Sequence, residues 1–131
     1  MGVLSVLVAA IAGFAMGAVW YMSLSKPWIR AAGLPVDETG KPQGNGSPMP
    51  FVVSGVAMIL VAGMMRHIFA MSGIESAGGG LVAGLGVGLF FIVPWVAMNY
   101  AYANRPVMLT VLDGGYAVLG CGVIGLVLGL F

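Results

Sequence analysis

Residues 3–23 contain no charged side chain, and neither do residues 77–102. A helix rising about 1.5 Å per residue needs roughly 20 apolar residues to cross the ~30 Å hydrocarbon core of a bilayer, and both stretches are long enough. A helix that is apolar all round is stable only in a large protein core or in lipid. A chain of 131 residues cannot build a core large enough to surround several of them. Two more such runs follow. Residues 51–71 are apolar until Arg66 and His67 near their far end, and residues 107–131 carry Asp113 as their only charge. The pattern predicts an all-α integral membrane protein, a bundle of four transmembrane helices in one domain spanning 1–131. Charged residues make up 7% of the chain against about 25% in soluble domains, and the mean hydropathy is +1.07, so lipid is the fitting solvent.

The polar stretch 24–50 separates the first two runs. It holds Lys26, Arg30, Asp37, Glu38 and Lys41 and closes in a Gly/Pro-rich run from Gly40 to Pro50. Such composition reads as turns and irregular loop, with Trp28 at the membrane interface. A short turn containing Glu75 joins the second and third runs. Asn104, Arg105 and Pro106 break the chain before the fourth, and Pro94 should kink the third. The first run lacks the basic start and the cleavage pattern of a signal peptide and is expected to be retained as a helix. Four spans put both termini on one side. Lys26, Arg30, Lys41 and Arg105 lie on the other side and Arg66 on the terminal side, so the positive-inside rule predicts a multi-pass inner-membrane protein. Loops 24–50 and 103–106 are expected in the cytoplasm and the termini outside.

Glycine is abundant, at 22 residues, and sits inside the apolar runs, where small residues let helix backbones approach. Gly13 and Gly17, then Gly80, Gly84 and Gly88, then Gly125 and Gly129 recur every four residues on single faces. These faces are packing seams within the chain or interfaces between copies. A homo-oligomer is one expectation, because four helices enclose little space. The ends of the first and third runs also share a pattern. Ala18, Tyr21, Lys26 and Pro27 align with Ala97, Tyr100, Arg105 and Pro106 at one constant offset. Two tandem helical hairpins arising by duplication would leave this trace. Any two helices ending at the same face would share much of it, since tyrosine and a basic residue belong at the interface and proline follows helix ends.

Asp113 is the sharpest candidate for chemistry. It stands six residues into the fourth helix, ~9 Å below the loop end. An aspartate at the helix centre costs ~2.5–3.5 kcal/mol on insertion scales, so a partner is expected. Side chains tilt toward the N-terminus of their own helix. That tilt brings Asp113 and Asn99 to similar depth and favours Asn99 as the partner, with Arg105 or Lys26 supplying charge. Tyr116 lies one turn from Asp113 on the same face. The candidate ligand-binding set is therefore Trp20, Tyr21, Asn99, Tyr100, Arg105, Asp113 and Tyr116, forming a polar pocket near the loop face or a structural lock, the third reading being a purely interfacial Asp113. His67 stands alone beside Arg66 and reads as interfacial, so no metal site is expected. Cys121 is the one cysteine, which excludes an intrachain disulfide and a thiolate cluster. No nucleophile–base set and no phosphate loop can be assembled, so neither an enzyme nor a cofactor is expected. A net charge of +1 offers no field for nucleic acid and leaves membrane lipid as the expected partner.

Three local motifs carry a resemblance. Gly17-Ala18-Val19-Trp20-Tyr21 closes the first run and is followed by Lys26-Pro27-Trp28. Pro94 is followed by Asn99-Tyr100 and then Arg105-Pro106. Gly115-Tyr116 opens the fourth run. In these motifs and in the whole plan of four spans with a longer first loop, the chain resembles the bacterial membrane proteins catalogued as domain of unknown function 1761. The resemblance covers essentially every residue. It implies the architecture and no activity. The functional expectation is small-solute or lipid binding or transport through a polar pocket near the cytoplasmic face. The alternative is a non-catalytic subunit or scaffold that packs against another membrane protein through its glycine faces.

Overall fold

The computed structural model describes residues 2–33 and 48–131. Every regular element among them is helical: α1 (Gly2–Ser23), α2 (Ser25–Ala32), α3 (Met49–Ser72), α4 (Ala77–Gly86), a π-helical turn (Val87–Ile92), α5 (Val93–Tyr102) and α6 (Val107–Leu130). Four spans are long and apolar enough to cross a membrane: α1, α3, the continuous 77–102 rod made by α4, the π turn and α5, and α6. This is the architecture of a multi-pass membrane protein, with span boundaries within a residue or two of those read from the chain.

Local chemistry sets where the helices end. Gly73 takes the left-handed conformation after α3, with φ of 72°, and the Ile74 N–H closes back on the Phe69 carbonyl. Asn104 does the same after α5 at φ of 57°, a region asparagine tolerates, and the Arg105 N–H bonds to the Tyr100 carbonyl. Ser76 starts α4 by accepting the Gly79 N–H on its hydroxyl oxygen. Pro94 has no N–H for the Phe90 carbonyl, and its ring would collide with that carbonyl in a regular α-helix. The disturbance expected there takes the form of the π turn, in which the Val93 N–H reaches back to the Gly88 carbonyl.

The polar stretch differs from its reading as irregular loop. Residues 25–32 are the helix α2, and Met49 and Pro50 already belong to α3, with Pro48 as its N-cap. Residues 34–47, with most of the Gly/Pro-rich run, lie outside the described residues. The signals for α2 are present in the chain. Pro27 falls in a first turn, where a missing N–H costs nothing. Trp28, Ala31 and Ala32 share one face, and Gly33 closes the helix at φ of 70°.

Helix α6 is the axis of the bundle and touches every other helix. Along α4 and the π turn the contact is backbone to backbone. A Cβ built on Gly80 would lie 2.1 Å from the Gly125 carbonyl oxygen, one on Gly84 2.1 Å from that of Cys121, and one on Gly88 2.4 Å from that of Ala117. The Gly80/Gly84/Gly88 face is therefore a seam inside the chain, and Gly125 and Gly129 form its other half. The pairing of Gly80 with Gly125 and of Gly88 with Ala117 makes the two spans antiparallel. Gly13 against Ile124 and Gly17 against Tyr116 do the same for α1 and α6. Ala9, Ala10, Ala62, Met65, Phe69, Cys121, Ile124 and Leu128 fill the core at the terminal end. At the loop end, Ala31, Ala32, Leu109 and Leu112 form a second cluster that seats α2 on α6.

Candidate functional site

The loop-end cluster is built around Asp113 in the second turn of α6. Three aromatic side chains from three helices aim their polar hydrogens at its carboxylate. Tyr21, near the end of α1, donates its hydroxyl to Oδ1 at 2.6 Å. Trp28, on the inner face of α2, donates its indole N–H to the same oxygen at 3.0 Å. Tyr100, near the end of α5, donates to Oδ2 at 2.5 Å. The rings stack edge to face as well, Tyr21 against Trp28 at 5.9 Å between centroids and against Tyr116 at 5.5 Å. A carboxylate offers about four acceptor positions, and these bonds fill three.

Trp20 and Tyr116 form the layer beneath. The Trp20 indole N–H donates to the Leu112 carbonyl at 2.9 Å, and a Cβ at Gly115 would lie 2.6 Å from the Trp20 ring. The Tyr116 hydroxyl donates to the Gly13 carbonyl at 2.9 Å and lies 3.4 Å from the Met58 sulfur. Gly17 leaves the room its ring needs. The glycines of the Gly17…Trp20-Tyr21 and Gly115-Tyr116 motifs thus make space for the aromatic rings of the facing helix.

Two expectations about partners are corrected. Asn99 is exposed and does not reach Asp113; Tyr100, the next residue on the helix, faces it instead. This level of α5 does lie opposite Asp113, as the Tyr100 bond shows, but a rotation of one residue about the helix axis, ~100°, decides which group points inward. Arg105 does not supply charge to Asp113. Its guanidinium donates to the Ala32 carbonyl and caps the C-terminus of α2, where free carbonyls and the negative end of the helix dipole attract a cation. Lys26 is exposed, and among the described residues no basic side chain pairs with Asp113. The structure therefore brings Trp20, Tyr21, Tyr100, Asp113 and Tyr116 together, sets Arg105 at the rim, and leaves Asn99 outside. It adds Trp28, which the sequence reading left at the interface because α2 went unseen.

The paired tyrosines clarify the echo between the first and third spans. Tyr21 and Tyr100, equivalent in the repeated pattern, hold the two oxygens of one carboxylate. The proline after each also plays a similar part, Pro27 in the first turn of α2 and Pro106 at the start of α6.

Fold and site together define a four-span membrane protein whose short helix α2 is latched to a carboxylate inside the bundle. The chain matches the family model described as protein of unknown function (DUF1761) over residues 4–129, and it belongs to that family. No curated protein and no solved structure matches it.

Proposed function

We propose that the protein is a non-catalytic small-solute binding or transport protein of the bacterial inner membrane, and that the site at Asp113 receives a small organic cation. One observation carries the reading: among the described residues the Asp113 charge is met by neutral donors alone, Tyr21, Trp28 and Tyr100, within a wall of aromatic rings. Intramembrane carboxylates are costly and usually belong to a solute or ion path. An ammonium group would neutralise the charge, take the open acceptor position and rest against the ring faces. The same ligand would compete with Trp28 for Oδ1 and so loosen α2. The positive-inside bias of Lys26, Arg30, Lys41 and Arg105 supports a cytoplasmic position for loops 24–50 and 103–106, with the termini outside. Self-association belongs to the reading, because a path through four helices needs a second wall.

The test is a thermal-shift titration of the purified protein with primary and quaternary amines, followed by quenching of the Trp20 and Trp28 fluorescence. Wild type should be stabilised in a saturable way, and Asp113→Asn should fold yet show no shift. Equal responses of the two proteins, or no response of wild type to any amine, would overturn the proposal. The scaffold reading has less to rest on, because the glycine faces it would use are already filled by neighbouring helices.

A further inference from the structure

At the end of the bundle opposite Asp113, a groove of about 460 Å³ opens among α1, α3, the α3–α4 turn and α6. Its walls are mixed, with Phe69, Leu128 and Phe131 on the apolar part, and two side chains of opposite charge line it, Arg66 near the end of α3 and Glu75 in the turn. Among the described residues no ion pair joins Arg66 to Glu75 or to any other group. Arg66 lies instead across the start of α1, its guanidinium 2.8 Å from where a Cβ on Gly2 would stand, and Ser5 satisfies its own hydroxyl on the Gly2 carbonyl at 2.9 Å. Both charged side chains are exposed, and Arg66 lies near the end of its helix, where an arginine of a membrane span meets the headgroup layer.

We infer that this groove binds the headgroup of a zwitterionic phospholipid with a primary amine, a phosphatidylethanolamine. A guanidinium matches a phosphodiester with parallel N–H donors. A carboxylate matches a primary ammonium, which has three N–H donors, and matches a quaternary choline less well, since that group has none. Glu75 repels a purely anionic headgroup such as phosphatidylglycerol. The Arg66 and Glu75 side-chain charges balance, as the two charges of the occupant do. The volume falls within the range of ordinary ligand clefts, and the mixed lining suits an amphipathic lipid, with Phe69, Leu128 and Phe131 placed for its glycerol and acyl ends. This site is independent of the one at Asp113.

The experiment uses the detergent-solubilised protein, offered phosphatidylethanolamine, phosphatidylcholine or phosphatidylglycerol of identical acyl chains, with bound lipid read by native mass spectrometry. Wild type should retain phosphatidylethanolamine about tenfold better than the other two, the effect of one charge-assisted bond. Glu75→Gln should abolish the preference over phosphatidylcholine while leaving phosphatidylcholine binding unchanged. Arg66→Gln should weaken retention of all three, and Arg66→Lys should restore part of it. Equal retention of the three lipids by wild type would overturn the inference without recourse to any variant. A preference unchanged in both Glu75→Gln and Arg66→Gln would overturn it too, as would displacement by soluble phosphoethanolamine at lipid-equivalent concentration.

Discussion

Trp28 donates its indole N–H to Asp113 at 3.0 Å, and that bond ties the short helix α2 to a carboxylate inside the bundle. Trp28→Phe keeps the ring and removes the donor. A hydrogen bond to a charged group is worth about 1.5–3 kcal/mol, and Asp113 would keep its two tyrosines, so a loss near the lower figure is expected. Hydrogen exchange should rise in α2 and stay unchanged in α6. Equal protection of α2 in both proteins would show that the alanine contacts of Ala31 and Ala32 hold it alone.

Tyr21 and Tyr100 serve opposite oxygens of the same carboxylate, so their contributions should couple. Each single Phe variant should cost about 1 kcal/mol or somewhat more, while the double variant should cost more than the sum by at least ~0.5 kcal/mol. The reason is that the second removal leaves the charge nearly bare. A double-mutant cycle in thermal or denaturant unfolding measures this, and strict additivity would mean that water replaces the lost donors.

Asp113→Asn should be mild in stability, because an amide oxygen still accepts from Tyr21 and Trp28 and its NH₂ can donate to the Tyr100 oxygen. Asp113→Leu should be severe. It leaves three polar hydrogens without an acceptor, at about 1–3 kcal/mol for each that stays buried. Melting temperatures in detergent order the two variants, and a tolerated leucine would argue against the latch.

Gly84 and Gly86 lie two residues apart on α4 and face different surroundings. A Cβ on Gly84 would meet the Cys121 carbonyl oxygen at 2.1 Å, while one on Gly86 meets nothing within 4 Å. Gly84→Leu should force α4 and α6 apart at the cost expected for overpacking, about 1–3 kcal/mol or more, and so lower the melting temperature. Gly86→Ala should be neutral or gain up to ~1 kcal/mol from the lost backbone freedom. A melting temperature that does not distinguish Gly84→Leu from Gly86→Ala would contradict the seam.

Orientation can be read from a single cysteine at exposed Ala103, with Cys121 replaced by alanine. If the basic loops face the cytoplasm, an impermeant thiol reagent should label Ala103→Cys in inverted vesicles and not in intact cells. The reverse pattern would turn the protein over.

The chain alone determined the spans, the antiparallel order and the depth of Asp113. Each of these follows from hydrophobic length, charge position and rise per residue, quantities that act locally along one helix. It also carried the small-residue rows that became the α4–α6 seam, because a backbone can approach only where side chains are absent. Tertiary structure decided the rest. Whether Asn99 or Tyr100 meets Asp113 depends on the rotation of one helix against another, which is set by the whole packed surface. The role of Arg105 depends on α2 lying across its path with a free carbonyl at Ala32. Trp28 could be assigned to Asp113 only after α2 was seated on Leu109 and Leu112, since eight residues of weak helical pattern have no stable place of their own until a neighbouring surface supplies one.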